Sequence, residues 1–367
     1  GHFCLLGNTR FFFFFVLGHV QLKVAAGHAI RIAQLTDVHR FPESCRFWTN
    51  GRGHRVDLDT YKGDVIQILR SVLRQVSPHF VVFTGDILDG RPFQQMEDKD
   101  WKSSMMKLLE PLLQNEIPWT YVPGNHDDDD APWSRNDLLE IYELPGCVAK
   151  GAKSFNHTLT VGSAQGVDGE SLRLWFFDSG GNHPDPKIRY ETFSPETVAS
   201  FRGLSTELAA LPSLAYFHIP LPEYGHLTPV HGSQHLFEAA LQAGMVPRPW
   251  CWVPTLVRFL GYVRVVGSST LNSGLFQAFV ESKMVKATFC GHDHASDAIF
   301  LKDGIFLCYG RVTGTTPPSD WEGSSPLPFE QGIRIVEYAG NGAPFVTWVQ
   351  TKDGEDAHSR FVLDSEA

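Results

Sequence analysis

Five apolar runs between residues 29 and 294 each stop at side chains able to hold a cation. They end at Asp37 and His39 (Thr-Asp-Val-His), Asp86 (Thr-Gly-Asp), Asn125 and His126 (Gly-Asn-His-Asp), His218 (Phe-His-Ile-Pro), and His292 and His294 (Gly-His-Asp-His). This pattern constrains the fold strongly. Ligand sites of open α/β sheets lie beyond the carboxyl ends of the strands, so strands must collect at one edge for these residues to act together. Oxygen and imidazole donors gathered there suit divalent cations.

The segments between the runs agree with such a sheet. Residues 29–36 read as a strand stopping at Asp37. Tyr61, Val65, Ile68, Leu69, Val72 and Leu73 recur at helical spacing over 60–75, and Pro78 breaks the pattern. A strand over 80–84, a helix over 101–114 and a strand over 117–122 follow. The second half repeats the order: a strand over 172–177, a helix over 195–210, a strand over 214–217, a helix over 272–282 and a strand over 285–290. Strands near 297–301, 304–309, 331–338 and 344–350 have no helices between them and read as antiparallel hairpins, with Lys302-Asp303-Gly304 as a turn. The fold class predicted is α/β, a four-layer α/β/β/α sandwich of two mixed sheets flanked by helices.

A chain of 367 residues, 43% hydrophobic and 12% aromatic, can bury a large core. Its formal charge of −10 disfavours nonspecific contact with nucleic acid or an anionic membrane, so no nucleic-acid partner is expected. A small phosphorylated substrate stays compatible, because bound cations reverse the charge of a site locally. The six cysteines form no Cys-x-x-Cys pair. Buried thiols are favoured over one or two disulfides. Residues 1–28, with Phe11–Leu17 after Arg10, read as a signal or targeting segment or as an apolar first strand. The former would fit a secretory or vacuolar protein, the latter a cytoplasmic one. Asn156-His157-Thr158 is a glycosylation sequon, meaningful only after secretion. No segment reads as a membrane span. The main domain is placed at 29–352, with a Pro/Gly/Trp/Arg-rich insertion at about 220–268, a loop at 40–57, a Pro/Gly/Ser-rich connection at 313–330 and a polar, mobile tail at 353–367.

Each piece of the constellation has a plainer alternative. Asp86 could cap a helix, His218 could be a satisfied core histidine, and Gly124–Asp127 could be an ordinary turn. Five pieces in this order, each after a strand, outweigh those alternatives. Asp86 follows a Thr-Gly turn and, with two oxygens, is the choice for a ligand shared by two cations. Asn125 offers a neutral amide oxygen. His126 would face a leaving group, with Asp127 holding its other ring nitrogen. Asp293, between the last two imidazoles, would face away or accept a hydrogen bond from a ligand's neighbour.

The five blocks resemble the calcineurin-like metallophosphoesterase superfamily, over about residues 30 to 310. The wording Phe217–Tyr224 resembles its purple-acid-phosphatase-like, Dcr2-like branch. The resemblance implies a metal one held by Asp37, His39, Asp86 and His294. Metal two would take Asp86, Asn125, His218 and His292, and His126 would be a general acid outside the ligand set. The two ions would be Mn, Fe or Zn. The position where purple acid phosphatases carry an iron-binding Tyr is Asp89 here, so a tyrosinate–iron site is not expected, and Arg40-Phe41-Pro42 stands where many relatives have Gly. The implied activity is metal-dependent phosphoric ester hydrolysis, of the phosphomonoesterase or protein phosphatase type, on a small ester or phosphoprotein. Attack would come from a metal-bridging hydroxide. Phosphodiesterase action on nucleotides or lipids, and a non-catalytic scaffold of the same fold, are the alternatives. Trp250, Trp252, Arg258 and Arg264 of the insertion would clamp a phosphate, stack a base or simply cover the core.

Overall fold

Residues 80–83 and 174–177 are apolar at successive positions rather than alternate ones, so both faces of their strands must be covered. The computed structural model, which describes residues 16–24, 29–49, 55–97, 100–163, 172–232, 266–294, 296–314, 330–340 and 342–364, covers them as the pattern requires. In chain order, β1 (Val16–Val24) and β2 (Ile30–Leu35) precede a hairpin of β3 (Phe47–Thr49) and β4 (Arg55–Asp57). Next come α1 (Leu58–Val76), β5 (Phe80–Thr84), α2 (Gly90–Gln95), α3 (Trp101–Gln114) and β6 (Trp119–Val122). The second half runs β7 (His157–Ser163), β8 (Leu172–Phe176), α4 (Pro195–Glu207), β9 (Ser213–Tyr216), α5 (Leu275–Ser282) and β10 (Val285–Cys290). It closes with β11 (Ile299–Lys302), β12 (Ile305–Tyr309), β13 (Gly332–Tyr338), β14 (Phe345–Thr351) and β15 (Phe361–Leu363).

Two mixed sheets result. One has seven strands in the order β1-β7-β8-β9-β10-β12-β11, the other six in the order β15-β14-β13-β2-β5-β6. Ile32, Phe80, Val82, Leu172, Leu174, Phe176, Tyr216 and Phe289 fill the layer between the sheets. Their strand neighbours point outward: Val81 and Phe83 pack under α1 and α3, and Trp175 and Phe177 pack against residues of α4 and α5. This is the four-layer α/β/β/α sandwich expected from the pattern.

The local chemistry explains most boundaries. Ser194 caps α4 by accepting from Thr197 N–H, with Pro195 at the first helical position. Asp303 (φ 47°) and Gly304 (φ 77°) make the left-handed turn of the β11–β12 hairpin. Gly274 (φ 79°) holds the start of α5 to Leu275, later than the expected 272.

Several expectations are corrected. The tail after 352 is not simply a polar extension. Its short Phe361–Leu363 run pairs antiparallel with β14, and Leu363 is buried. Part of the loop at 40–57 forms the β3–β4 hairpin. Within the N-terminal segment, for which an apolar first strand is one of the two readings, Val16–Val24 is a strand of the seven-stranded sheet, parallel to β7. The Asn156 sequon is buried, and its Nδ2 donates to Thr197 Oγ1 (3.2 Å), so it offers no surface acceptor for a glycan. Cys45, Cys147, Cys290 and Cys308 are free thiols. Cys4, Cys251, the insertion residues Trp250, Trp252, Arg258 and Arg264, and 315–329 of the connection lie outside the described residues. Among the described residues, no helix is long and apolar enough to cross a membrane.

His157, at the start of β7, is buried and stacked on Phe176, with ring centroids 4.4 Å apart. Its Nδ1 donates to Phe155 O (2.9 Å), and its Nε2 accepts from Thr120 Oγ1 (2.9 Å). Burial lowers its pKa from 6.5 to about 4, only partly opposed by the Phe155 carbonyl. Above pH 6.5 the ring is neutral whether the chain is folded or not. As pH falls from 6.5 towards 4, only the unfolded chain takes up the proton, so stability is lost over that window by about 3 kcal/mol. Urea unfolding at several pH values should show a shallower acid decline for His157→Gln than for the parent. Parallel curves would refute this role.

Candidate metal centre

Strands β2, β5 and β6 of one sheet and β9 and β10 of the other run parallel within their sheets, and their carboxyl ends meet at one rim. The loops after β2 and β5 continue the ladder past the strands. Asp37 N–H donates to Gly85 O (3.1 Å), His39 N–H to Asp86 O (2.8 Å) and Arg40 N–H to Ile87 O (2.7 Å). The two sheets are tied directly. Gln34 Nε2, held within its own sheet by Thr84 Oγ1 (2.9 Å), donates across to Cys290 O (3.1 Å), and His292 N–H donates to Asp37 Oδ2 (3.0 Å). His218 Nδ1 lies 2.8 Å from Thr84 O. A carbonyl can only accept, so Nδ1 carries a proton, and Nε2 is the ring nitrogen turned to the rim.

Two donor clusters result. Ligand atoms of Asp37, His39 and His294 lie within 4.8 Å of one another, as do those of Asp86, His218 and His292. His39 Nε2 is 3.3 Å from His294 Nε2, which is 3.2 Å from Asp37 Oδ1. His218 Nε2 is 3.1 Å from Asp86 Oδ2 and 3.3 Å from His292 Nδ1. Asp86 Oδ2 is also 3.8 Å from His39 Nε2, so this one oxygen faces both clusters. Asn125 stands beside them. Its Nδ2 donates to Asn182 Oδ1 (3.2 Å), while its Oδ1 is buried without a hydrogen-bond partner among the described residues. An orphaned buried acceptor costs about 1–3 kcal/mol, and a cation at Oδ1 would remove that cost. The residues therefore fit two cations.

His126 belongs to neither cluster. Its ring centroid lies 5.4 Å from that of His39, and its N–H donates to Asp86 Oδ1 (2.8 Å). Here one expectation is corrected. Asp127 does not hold the His126 ring; Asp129 does, with Oδ2 3.0 Å from Nδ1. Adjacent loop residues point apart, whereas residue i+3 closes back on the ring. Asp127 turns inward and accepts four backbone N–H groups, from Asp86 (2.7 Å), Ile87 (3.0 Å), Leu88 (2.7 Å) and Gly124 (2.7 Å). Asp293 also faces away from the donor clusters, accepting from Tyr309 Oη and from Gly267 N–H (3.1 Å).

The electrostatics follow from burial and mutual approach. Burial disfavours charge on Asp86 and Asp37, but their imidazole neighbours win. His218 and His126 hold Asp86 well below the usual carboxylate range, and His294 lowers Asp37 to about 2. Burial and the His218 charge lower His292 to about 3. Burial likewise lowers His39, against Asp89 and Asp86. Burial opposes charge on His218, but the Asp86 carboxylate outweighs it and raises the ring to about 9, so a cation would have to displace the His218 Nε2 proton, whereas His292 and His39 are already in the neutral form a cation needs.

Some participants escape a reading of separate motifs. Asp89 lies 3.7 Å from His39 Nδ1 and is gripped at both oxygens by Arg91, with Nε at 2.8 Å and Nη2 at 2.7 Å. Arg135 ties the loop after β6 to the loop after β8 through Gly124 O (2.9 Å), Asp128 Oδ1 (2.8 Å), Asp178 Oδ1 (2.7 Å) and Gly180 O (2.9 Å). Tyr190 meets the His292 ring edge-on, centroids 4.5 Å apart. Only the acidic run Asp127–Asp130 and the polar ending at Asp178 hinted at any of this. Four donors hold left-handed backbone: Asp37 (φ 54°), His39 (49°), Asp86 (50°) and His292 (76°). The neighbouring glycines are steric requirements. A Cβ at Gly124 would meet Asp86 Oδ1 at 2.2 Å, and one at Gly291 would meet Thr36 Oγ1 at 1.8 Å.

Comparison with known proteins agrees with this geometry. The family model for calcineurin-like phosphoesterases matches residues 30–296. The chain is 24% identical over 324 residues to the Arabidopsis thaliana protein named probable inactive purple acid phosphatase 29, covering 80% of this chain and 74% of that one. It is 26% identical over 360 residues to phosphatase DCR2 of Saccharomyces cerevisiae, covering 90% of this chain but only 55% of the yeast protein. A crystal structure of a dimetal phosphatase from Danio rerio superposes with a TM-score of 0.58 at 12% identity, covering 92% of this chain and 99% of that one.

Two outcomes are expected from this arrangement. Asp86→Ala should lose both cations and His39→Ala should weaken only one; elemental analysis of the purified variants checks this, and full occupancy in Asp86→Ala would count against a shared ligand. Asp127→Ala strands four backbone donors and should lower the unfolding free energy by about 3 kcal/mol or more, as read from urea unfolding.

Proposed function

The chain belongs to the calcineurin-like phosphoesterase family, and from that premise we propose that it is a two-metal phosphoric ester hydrolase of the phosphomonoesterase type. One observation carries the reading: two donor clusters abut at Asp86 Oδ2, with the partnerless Asn125 Oδ1 beside them. Metal one would be held by Asp37, His39, Asp86 and His294, and metal two by Asp86, Asn125, His218 and His292. This mixture of carboxylate, amide and imidazole suits Mn²⁺, Fe²⁺/Fe³⁺ or Zn²⁺. Two such ions would supply Lewis acidity towards phosphoryl oxygens and activation of water.

The chain's own groups do the rest. Thr84 O fixes the His218 tautomer, and the Asp127 carboxylate fixes the Asp86 loop against the Asn125 loop. His126 stands beside the clusters with Nδ1 on Asp129, which leaves Nε2 to donate a proton to the departing alkoxide oxygen. Asp129 also stabilises the imidazolium form that makes this donation. The relative named as inactive carries that word for itself. In this chain the seven donors and the acid stand at one rim, and that favours turnover over a scaffold role.

p-Nitrophenyl phosphate assayed beside bis-p-nitrophenyl phosphate with added Mn²⁺ tests the proposal. Hydrolysis of the monoester is expected to exceed that of the diester; a metal-loaded protein that turns over neither is a scaffold. His126→Ala should slow hydrolysis of alkyl phosphates, whose leaving groups need the proton, by about 10²–10⁴-fold with metal content intact. Equal turnover on an alkyl ester would refute the acid role.

A further inference from the structure

We propose that Arg189 is a substrate-binding residue that pairs with the second negative charge of a phosphomonoester dianion and so sets a preference for monoesters over diesters. The inference rests on the hydrolase reading and names the substrate class of that site.

Among the described residues, four arginines stand on the segments around the rim, and three are neutralised, Arg40 by Glu43. Arg91 is held at both oxygens of Asp89, and Arg135 is held by Asp178 and Asp128. Arg189 is exposed and makes no ion pair among the described residues. Its loop is built against the centre from both sides. Asn182 and Tyr190 form an antiparallel bridge, and Glu191 N–H donates to Gly181 O (2.9 Å). Within that closure Asn182 accepts from Asn125, and the Tyr190 ring abuts His292, so each limb of the loop touches a donor assigned to metal two. The Arg189 guanidinium lies 5.4 Å from the Tyr190 ring centroid. Its backbone (φ 70°) sits where the loop turns back, Arg189 N–H donating to Asp185 O (3.1 Å) and Arg189 O accepting from His183 N–H (2.9 Å).

The charges make the selectivity. Two cations are partly offset by the carboxylates of Asp37 and Asp86 at their sides. A monoester dianion brings two negative charges and a diester only one, its second site being an esterified, uncharged oxygen. A guanidinium left unneutralised therefore gains most from the dianion, to which it can donate paired N–H bonds.

The test uses the full chain loaded with Mn²⁺. Orthophosphate binding is followed by calorimetry, and KM and kcat are measured for p-nitrophenyl and bis-p-nitrophenyl phosphate. In Arg189→Ala, the orthophosphate Kd and the monoester KM should each rise about 10-fold, the loss of one exposed charge-assisted contact. The kcat should change far less, diester KM should hold, and metal content should match the parent. Arg189→Lys should recover part of the loss. Unchanged phosphate Kd and monoester KM would overturn the proposal, as would an equal KM rise for both esters. If the parent turns over neither ester, the hydrolase reading fails, and the phosphate Kd alone then decides the role of Arg189. A loaded parent that binds no orthophosphate overturns both.

Discussion

The carboxylate of Asp127 is the contact on which the centre depends. Its two oxygens accept N–H groups from residues 86, 87 and 88 on one loop and from residue 124 on another. Those two loops leave adjacent parallel strands of the same sheet, and Gly90 N–H donating to His126 O (2.8 Å) joins them a second time. Burial and the nearby Asp86 charge raise the Asp127 carboxyl to about 7, and the backbone N–H groups of Leu88 and Gly124 oppose that rise. With all four donors in place, Asp86 and Asn125 keep fixed positions relative to each other, and the His126 N–H can reach Asp86 Oδ1. Geometry of this kind must be set before any ion or substrate arrives.

The sheets supply the remaining constraint. Strands of two separate sheets converge at one rim only because the layer between them is filled by large side chains from both, Phe80 and Phe176 among them. Gln34, at the end of β2, then bonds across to Cys290 O at the end of β10. The first half of the chain is thereby held against the last imidazole pair. An acidic chain thus carries a local site whose donors suit cations.

Much of this was legible in the sequence, and the rest was hidden for identifiable reasons. Asp37, His39, Asp86, Asn125, His218, His292 and His294 could be read because each follows an apolar run, and strand direction alone sends such residues to a common edge. The partner of His126 could not be read the same way. Sequence adjacency favoured Asp127, but a turn points neighbouring side chains to opposite sides, and Asp129 closes the contact. β7 went unseen because Leu159 and Val161 are its only large apolar residues among threonines and a glycine. β15 escaped because three residues in a polar segment carry no measurable period. The hold of Arg91 on Asp89 and of Arg135 on Asp178 depends on folding, and residue spacing does not encode it.

Four of the donors sit where a β-carbon is unwelcome, each at a cost of about 1–2 kcal/mol relative to glycine. An evolving lineage would feel this as a standing pull. Glycine or asparagine at residues 37, 39, 86 or 292 would ease the chain while emptying the rim of its donors. Selection for heat tolerance alone would therefore erode the centre first, and copies of this fold freed from the need to keep those donors should drift towards greater robustness.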